Sequence, residues 1–197
     1  MAYSDFTLAL VKQKFSLTID ETPNLFGEVA EAKVSDLLQA ILEENIPLAL
    51  AIATEKARSE LLIAPVLVEV RKVVQHRISL FSGVDFNVDE QQGLNGICDF
   101  IIARSPEQYM VNAPVIMLVE AKNEDMKRGL GQCLAEMVAA RQFNEQAGIQ
   151  AAVYGVVTTG NLWKFVKLEG QTIEIDQAEY HISQLEKILG ILLNLVS

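Results

Sequence analysis

The stretch Val115–Lys122, with the sequence VIMLVEAK, decides which fold the chain can adopt. Five consecutive apolar residues are typical of a strand buried on both faces, because a strand with one face in water alternates apolar and polar residues. The run ends in two charged residues, Glu120 and Lys122, and residues i and i+2 of a strand point to the same face. An unpaired buried charge is costly, so both side chains are expected to be paired, to lie at a cleft or to bind a metal ion.

Further strand and helix patterns lie on either side of this run. Residues Ile78–Val88 alternate and are rich in β-formers, and Ile97–Ala103 follow a turn that contains two glycines. Downstream, apolar residues at helical spacing predict a helix over Lys127–Asn144, and Ala151–Thr158 form another apolar run. Three meandering strands, a helix and a further strand predict an α/β protein with a sheet of mixed direction.

The part of the chain before these strands is interpreted as mostly helical. Residues 1–53 form an N-terminal extension, in which Ser35 caps a short helix that ends near Pro47. A longer helix is expected over Thr54–His76, where Pro65 either bends the helix or marks its true first turn. Both predictions rest on apolar positions that recur at helical spacing.

The last part of the chain follows a different pattern. Residues 160–197 are predicted to form a hairpin around Glu169–Gln171 and then an amphipathic helix over Ala178–Val196. This helix carries more apolar side chains than one face of a small sheet needs, so it could form a homodimer with a second copy of the chain. Because the sequence contains no linker or repeat, residues 54–159 are expected to be the core of a single domain over 1–197.

The composition excludes several classes of protein. Half of the 197 residues are hydrophobic, which excludes a disordered chain, and two cysteines are too few for a disulfide scaffold. The 26 acidic residues outnumber the 16 basic ones, and the net charge of −10 argues against a general basic nucleic-acid binder. No apolar run approaches the ~20 residues of a membrane span. Since Met1–Phe6 show no signal-peptide pattern, a cytoplasmic protein without a membrane partner is expected.

A second carboxylate, Asp99, lies inside the apolar run that precedes Val115–Lys122. If the two strands are neighbours, Asp99, Glu120 and Lys122 meet at one point. Carboxylate oxygens are the hard ligands that Mg²⁺ prefers in proteins. An ammonium group beside them can orient a water molecule and stabilise charge on a phosphate. The three side chains therefore suit metal-assisted hydrolysis.

Asp99 and the triplet Glu120-Ala121-Lys122, with 20 residues between Asp99 and Glu120, resemble the PD-(D/E)XK motif of restriction-endonuclease-like nucleases. The predicted order of helix, three-stranded meander, helix and strand is also similar to the core of that superfamily. Four segments resemble those of uncharacterised, largely cyanobacterial-type members: Arg58–Pro65, Gly93–Phe100, Val119–Asp125 and Gly129–Cys133.

The resemblance implies a role for each residue of the motif. Asp99 and Glu120 would bind Mg²⁺ or Mn²⁺, with the carbonyl group of Ala121 as a third ligand. Lys122 would position the water that attacks the phosphate. The resemblance thus implies a metal-dependent phosphodiesterase.

The helices of such nucleases often supply further polar side chains. Glu60 is the candidate carboxylate on the first helix, with Glu55 and Glu69 as alternatives, while an exposed surface charge is the competing interpretation of Glu60. Gln132, early in the helix after the motif, matches a position where many members carry a polar active-site residue. Glu136 departs from the subgroup that has Tyr at that place.

Two functions follow from these observations. The first is a Mg²⁺-dependent nuclease that hydrolyses phosphodiester bonds, with DNA favoured over RNA as substrate. The alternative is a catalytically silent scaffold that acts as an interaction or assembly module. Net charge governs long-range steering rather than the chemistry at one site, so the acidity predicts weak, salt-sensitive binding of nucleic acid rather than excluding it.

Overall fold

The apolar run Val115–Ala121 forms strand β4 of a mixed eight-stranded sheet in the computed structural model, which describes residues 1–197. All seven residues of β4 are buried. The strand is antiparallel to β3 (Ile97–Ala103), which is in turn antiparallel to β2 (Ser79–Asp85). On its other side β4 is parallel to β5 (Val153–Thr158). The predicted α/β fold with a mixed sheet is therefore confirmed.

Four more strands extend the sheet beyond β5. Strands β6 (Leu162–Glu169) and β7 (Thr172–Ile175) form a hairpin, and β1 (Thr18–Asp20) pairs in parallel with β7 at the edge. The short strand β8 (Tyr180–His181) pairs with the beginning of β6. Across the sheet the order is β1-β7-β6-β5-β4-β3-β2.

Helices cover both faces of this sheet, which explains why its central strands are apolar throughout. The helices are α1 (Leu8–Lys14), α2 (Asp36–Ile52), α3 (Glu55–Arg58), α4 (Ala64–Val73), α5 (Met126–Gln146) and α6 (Leu185–Val196). Helices α1 and α5 pack on one face, and α2, α4 and α6 pack on the other, each face with its own apolar cluster. None of these helices has both the length and the apolar composition that crossing a membrane requires.

Helix α2 is longer than predicted, because it continues past Pro47 to Ile52 and ends at Ala53 with φ of 54°. Proline removes one backbone donor from a helix, which usually ends or kinks it. Here Pro47 is exposed, so water can reach the carbonyl group that loses its partner. Burial of Leu38, Leu42 and Ala49 against the core outweighs the lost hydrogen bond.

The predicted long helix over Thr54–His76 consists of α3, a π-helical turn at Ser59–Ile63 and α4. The backbone stays helical through all three pieces, since Arg58, Ile63 and Ala64 have right-handed helical φ and ψ. No helix therefore begins at Pro65, which lies inside one continuous helical stretch. The π turn precedes Pro65 and widens the backbone where the proline removes a donor.

Both ends of the chain differ in detail from the prediction. Residues 1–53 are less helical than expected, since they contribute β1 to the sheet and residues 21–34 contain no helix or strand. The last helix begins at Leu185 rather than Ala178, because Tyr180–His181 pair with β6 instead. Pairing in the sheet satisfies the same backbone groups that a longer helix would have used.

The apolar face of α6 is buried within the chain itself. Its buried apolar residues are Ile188, Leu189, Ile191, Leu192, Leu195 and Val196. They join the cluster that α2 and α4 form on the same face of the sheet. The apolar excess that suggested a homodimer is thus accounted for by packing within one chain.

Candidate active site

Asp99, Glu120 and Lys122 line one cleft, which we call the central cleft, where β4 ends and α5 approaches. The cleft has a volume of about 570 Å³, and no apolar side chain lines it. Gln132 from α5 also lines it, so four of the five predicted catalytic residues meet there. The fifth, Glu60, does not line the central cleft.

Asp99 is placed by the end of the pairing between β3 and β4. The last paired residues at this end are Phe100 and Val119. The backbone N–H groups of β4 beyond Val119 therefore have no partner on the backbone of β3. The N–H group of Ala121 donates instead to Oδ2 of Asp99 at 2.8 Å. Burial raises the pKa of Asp99, while this hydrogen bond and the ammonium of Lys122 act in the opposite direction.

Glu120 is almost completely buried, with 1% of its surface exposed. Its Oε1 atom accepts a hydrogen bond from Nζ of Lys122, and its Oε2 atom is buried with no N–H donor in reach. Burial and the nearby charge of Asp99 raise the pKa of Glu120 to about 7 despite the ion pair with Lys122. The carboxyl group therefore gains or loses its proton near neutral pH.

Lys122 lies between two carboxylates. Besides Glu120, its Nζ atom lies 3.8 Å from Oε1 of Glu55, which projects from the first turn of α3. Burial on its own would lower the pKa of Lys122, but the carboxylates around it outweigh burial, and the pKa is raised. The predicted i, i+2 relation of Glu120 and Lys122 on one face of β4 thus brings both to the cleft.

Two glycines of α5 allow the helix to lie close to strand β5, to Lys122 and to the N-terminal segment at Phe6 and Thr7. A Cβ atom at Gly129 would lie 2.7 Å from Cγ1 of Val157 and 2.8 Å from Cγ of Lys122. A Cβ atom at Gly131 would meet backbone atoms of Phe6 and Thr7. Glycine at both places therefore sets the distance between α5 and the residues of the central cleft.

Glu136, a fully buried residue of α5, lies behind Glu120. Its Oε1 atom accepts a hydrogen bond from Nε2 of Gln132 at 3.1 Å, and its carboxyl group also shares a hydrogen bond with that of Glu120, which requires a proton on one of the two groups. Burial, followed by the charge of Glu120, raises the pKa of Glu136 well above its usual range, so we expect this carboxyl group to carry a proton. The sequence held a signal for this residue, because Gln132 and Glu136 are spaced i, i+4 in an otherwise apolar part of the helix.

The three candidate carboxylates of the preceding helix have different surroundings. Glu60 is largely exposed and forms an ion pair with Lys56 at 3.7 Å, on a smaller cleft beside the central one. Glu69 is buried, pairs with Lys72 and lines neither cleft. Of the three, Glu55 alone lines the central cleft. The structure therefore favours the alternative Glu55 over the first choice, Glu60.

The N-terminal segment contributes Ser4 to the wall of the central cleft. Two hydrogen bonds of Tyr3 hold the segment in place. The backbone N–H of Tyr3 donates to the carbonyl group of Asn95 at 3.0 Å, and its hydroxyl donates to the carbonyl group of Phe86 at 2.6 Å. Sequence analysis did not identify Ser4. No local pattern could have done so, because these contacts join residues more than 80 positions apart.

A divalent metal ion at the central cleft would need several oxygen ligands. Nowhere in the chain do three or more His, Cys, Asp or Glu side chains form a group that could hold a metal ion. Asp99 and Glu120 supply two carboxylates to the central cleft, whereas Ala121 lines the smaller cleft that Asp99 and Glu60 also line. Mg²⁺ is commonly bound by one or two carboxylates while it keeps several water molecules. Oε2 of Glu120 has no N–H partner, but it is buried, and the carboxyl group of Glu120 shares a hydrogen bond with that of Glu136.

Comparisons with known proteins add no relative. No protein-family model matches the chain, and neither a curated protein nor a solved structure is significantly similar to it. Any statement about function therefore rests on the residues of the central cleft and on their geometry.

Proposed function

We propose that the protein is a Mg²⁺-dependent nuclease of the PD-(D/E)XK type that hydrolyses phosphodiester bonds of DNA. One observation carries the proposal: Asp99, Glu120 and Lys122, which come from two adjacent strands, line a single polar cleft. This is the composition expected of a site that binds a hard cation next to a phosphate.

The order of the elements also supports the proposal. A helical region that ends with α4 is followed by the antiparallel strands β2, β3 and β4, the helix α5 and the strand β5 parallel to β4. The same order of helix, meander, helix and strand is what the resemblance to restriction-endonuclease-like proteins implies over residues 54–159. We therefore include this core in the proposal.

Asp99, Glu120 and the carbonyl group of Ala121 would hold Mg²⁺ or Mn²⁺. When bound, the ion would make a neighbouring water molecule more acidic and would offset negative charge on the phosphate. The carboxylate of Asp99 already has a fixed orientation, because it accepts the hydrogen bond from the N–H group of Ala121. Such preorganisation lowers the cost of binding an ion.

The other side chains of the cleft would act on water and phosphate directly. The ammonium of Lys122, held between Glu120 and Glu55, is placed to orient the attacking water and to stabilise charge that develops on a phosphate oxygen. The water oxygen forms a bond to phosphorus, and the bond from phosphorus to the leaving sugar oxygen breaks. A carboxylate of the cleft would take the proton that the water loses, and the leaving oxygen would take up a proton from solvent. Gln132 and Glu136 would fix the position of Glu120 from behind.

A cleavage assay tests the proposal. Purified protein is incubated with plasmid and with single-stranded DNA in the presence of Mg²⁺ or Mn²⁺, and the variants Asp99→Asn and Lys122→Met are compared with wild type. We expect both variants to remain folded and to lose cleavage. The matched control is Glu44→Gln, which removes an exposed carboxylate that lines neither the central nor the smaller cleft and should retain activity. If wild-type protein cleaves neither DNA nor RNA, the proposal is wrong.

The alternative function is a catalytically silent scaffold that acts as an interaction or assembly module. One observation behind it, the apolar face of the C-terminal helix, does not favour pairing of two copies, because this face is buried against its own sheet. We therefore do not propose a homodimer.

A further inference from the structure

Asn123, the residue after Lys122, lines the central cleft, and a residue of α3 fixes the orientation of its side chain. Its Oδ1 atom accepts a hydrogen bond from Nε of Arg58 at 3.0 Å. Arginine can only donate hydrogen bonds, so the amide atom that faces Arg58 is the oxygen. The Nδ2 group of Asn123, which carries two N–H donors, therefore points away from Arg58.

The Nδ2 group of Asn123 is available to a ligand. It donates to no atom of the chain, and it is not a buried atom. Asn123 lines the central cleft and does not line the smaller cleft beside it. The structure thus leaves two N–H donors of known orientation at the edge of the central cleft.

The other donors of the central cleft are either engaged or unrestrained. Lys122 and Gln132 donate to carboxyl groups of the chain. Ser4 and Arg128 line the cleft and are exposed, and no hydrogen bond within the chain holds either side chain. Asn123 differs from both pairs, because its donor is free while its side chain is held. Such a preorganised group loses less conformational entropy when a ligand binds.

Arg58 donates only to uncharged acceptors. Besides Asn123, it donates from Nη1 to the carbonyl group of Thr159 at 3.0 Å, and it belongs to none of the ion pairs. Since Thr159 follows β5, one guanidinium group joins α3 to the chain beyond β4 and beyond β5. A charged donor on the oxygen of an amide polarises the amide and strengthens its N–H donors.

The charges of the central cleft favour an uncharged donor at this place. Of the 10 lining residues, five are acidic and two are basic. A cation among so many carboxylates forms ion pairs, as Lys122 does with Glu120 and Glu55. An amide carries no net charge, so the neighbouring carboxylates do not neutralise it. Asn123 can therefore donate to an anionic ligand in a cleft where a lysine would be paired.

From these observations we propose that Nδ2 of Asn123 donates a hydrogen bond to a non-bridging oxygen of the phosphate that is cleaved, and that Arg58 orients this donor. The inference deepens the proposed nuclease function and rests on it. A fixed donor aimed at an oxygen on which charge develops stabilises the transition state more than the ground state. Asn123 is then a catalytic residue, and Arg58, which acts through Asn123, is a positioning residue.

Asn123→Asp separates the donor from the contact with Arg58. Aspartate has the shape of asparagine and still accepts from Arg58, but it has no N–H donor. In the DNA-cleavage assay we expect kcat to decrease roughly 10²–10³-fold, while the urea midpoint does not decrease. Asn123→Ala removes the donor without adding a charge and should lose kcat to a similar extent.

Asn24→Asp is the matched control for the added charge. It makes the same chemical change at an exposed residue that lines neither the central nor the smaller cleft. We expect this variant to cleave DNA with the kcat of wild type.

Arg58→Met tests the positioning role. We expect a lower kcat with little change in KM, because an amide that can turn presents its donor for only part of the time. In the Asn123→Ala background the same substitution should lower kcat no further, since the group that Arg58 orients is absent. A merely structural role of Arg58 would lower the activity in both backgrounds.

The possible outcomes separate this inference from the nuclease proposal. If wild type cleaves DNA and the Asn123 variants cleave as Asn24→Asp does, Asn123 does not donate to the phosphate, and the nuclease proposal stands. Loss of activity in Asn123→Asp with full activity in Asn123→Ala would show that the added charge is responsible, and would overturn the inference. Equal effects of Arg58→Met in both backgrounds would overturn the positioning role. If wild type cleaves no nucleic acid, both the nuclease proposal and this inference are wrong.

Discussion

The ammonium of Lys122 donates a hydrogen bond to Oε1 of Glu120, so the two charged residues that end the apolar strand β4 neutralise each other. The pair explains how a strand buried along its whole length can end in a carboxylate with 1% of its surface exposed. The second oxygen, Oε2 of Glu120, is buried with no N–H donor in reach, and the carboxyl group shares a hydrogen bond with that of Glu136.

Lys122→Met removes the counterion and leaves a buried carboxyl group. We expect a loss of about 1–3 kcal/mol in the free energy of unfolding, limited because Glu120 can take up a proton. Urea denaturation at pH 8 measures it. Lys56→Met is the matched control, because it breaks the exposed pair with Glu60, and such pairs contribute about 0–1 kcal/mol. Equal losses in the two variants would contradict this account of the buried pair.

The apo protein should lose stability as the pH rises towards 8. Burial raises the pKa of Glu120 to about 7 and also raises that of Glu136, so the folded state binds more protons than the unfolded state. The resulting stabilisation is fully present below the unfolded pKa of 4.5 and disappears as the pH rises through about 7. Urea midpoints measured in EDTA from pH 5 to 8 should therefore decrease.

Glu136→Gln is the variant that tests the origin of this pH dependence. The amide keeps the shape of the side chain and cannot lose a proton, so the decrease between pH 5 and 8 should become smaller. A wild-type midpoint that rises over this range, or a variant with the wild-type dependence, would contradict the expectation.

Strands β3 and β4 could be predicted from the sequence more closely than the helices before them. Strands β3 and β4 have the bounds expected from their patterns, because each is an apolar run whose ends are marked by glycine, proline or charge. The prediction of helical faces was less successful. Glu60 lies inside the π-helical turn Ser59–Ile63, which changes the direction of side chains relative to a regular α-helix. The sequence carries no local signal for that turn apart from Pro65.

The candidate site was predictable to the extent that its residues are close in sequence or share a strand. The spacing of Glu120 and Lys122 placed both on one face, and their adjacency to Asp99 followed from the expected meander. Glu55 and Ser4 reach the cleft only through contacts between distant parts of the chain. Their positions depend on how the elements pack, which residue patterns do not encode.

Binding of Mg²⁺ or Mn²⁺ should depend on both strands and on pH. Calorimetry should detect the ion with wild type and not with Asp99→Asn. The affinity should increase from pH 6 to pH 8, because a ligating carboxylate must lose its proton and the pKa of Glu120 is about 7. The bound ion should also raise the melting temperature, since a ligand that binds only the folded state stabilises it. Glu44→Gln is the control and should bind as wild type, because Glu44 is exposed and lines neither the central nor the smaller cleft; equal binding by Asp99→Asn would contradict the proposed ligands.

Gly131→Ala should detach the N-terminal segment from α5. A Cβ atom at this position would lie 2.7 Å from Cα of Thr7, and backbone atoms cannot move aside as a flexible side chain can. Alanine favours a helix over glycine by about 1 kcal/mol, but overpacking costs about 1–3 kcal/mol. We therefore expect a net loss of stability and faster proteolysis within residues 1–16. Gln146→Ala, at the exposed end of the same helix, should change neither property, and unchanged proteolysis of Gly131→Ala would show that this contact does not hold the segment in place.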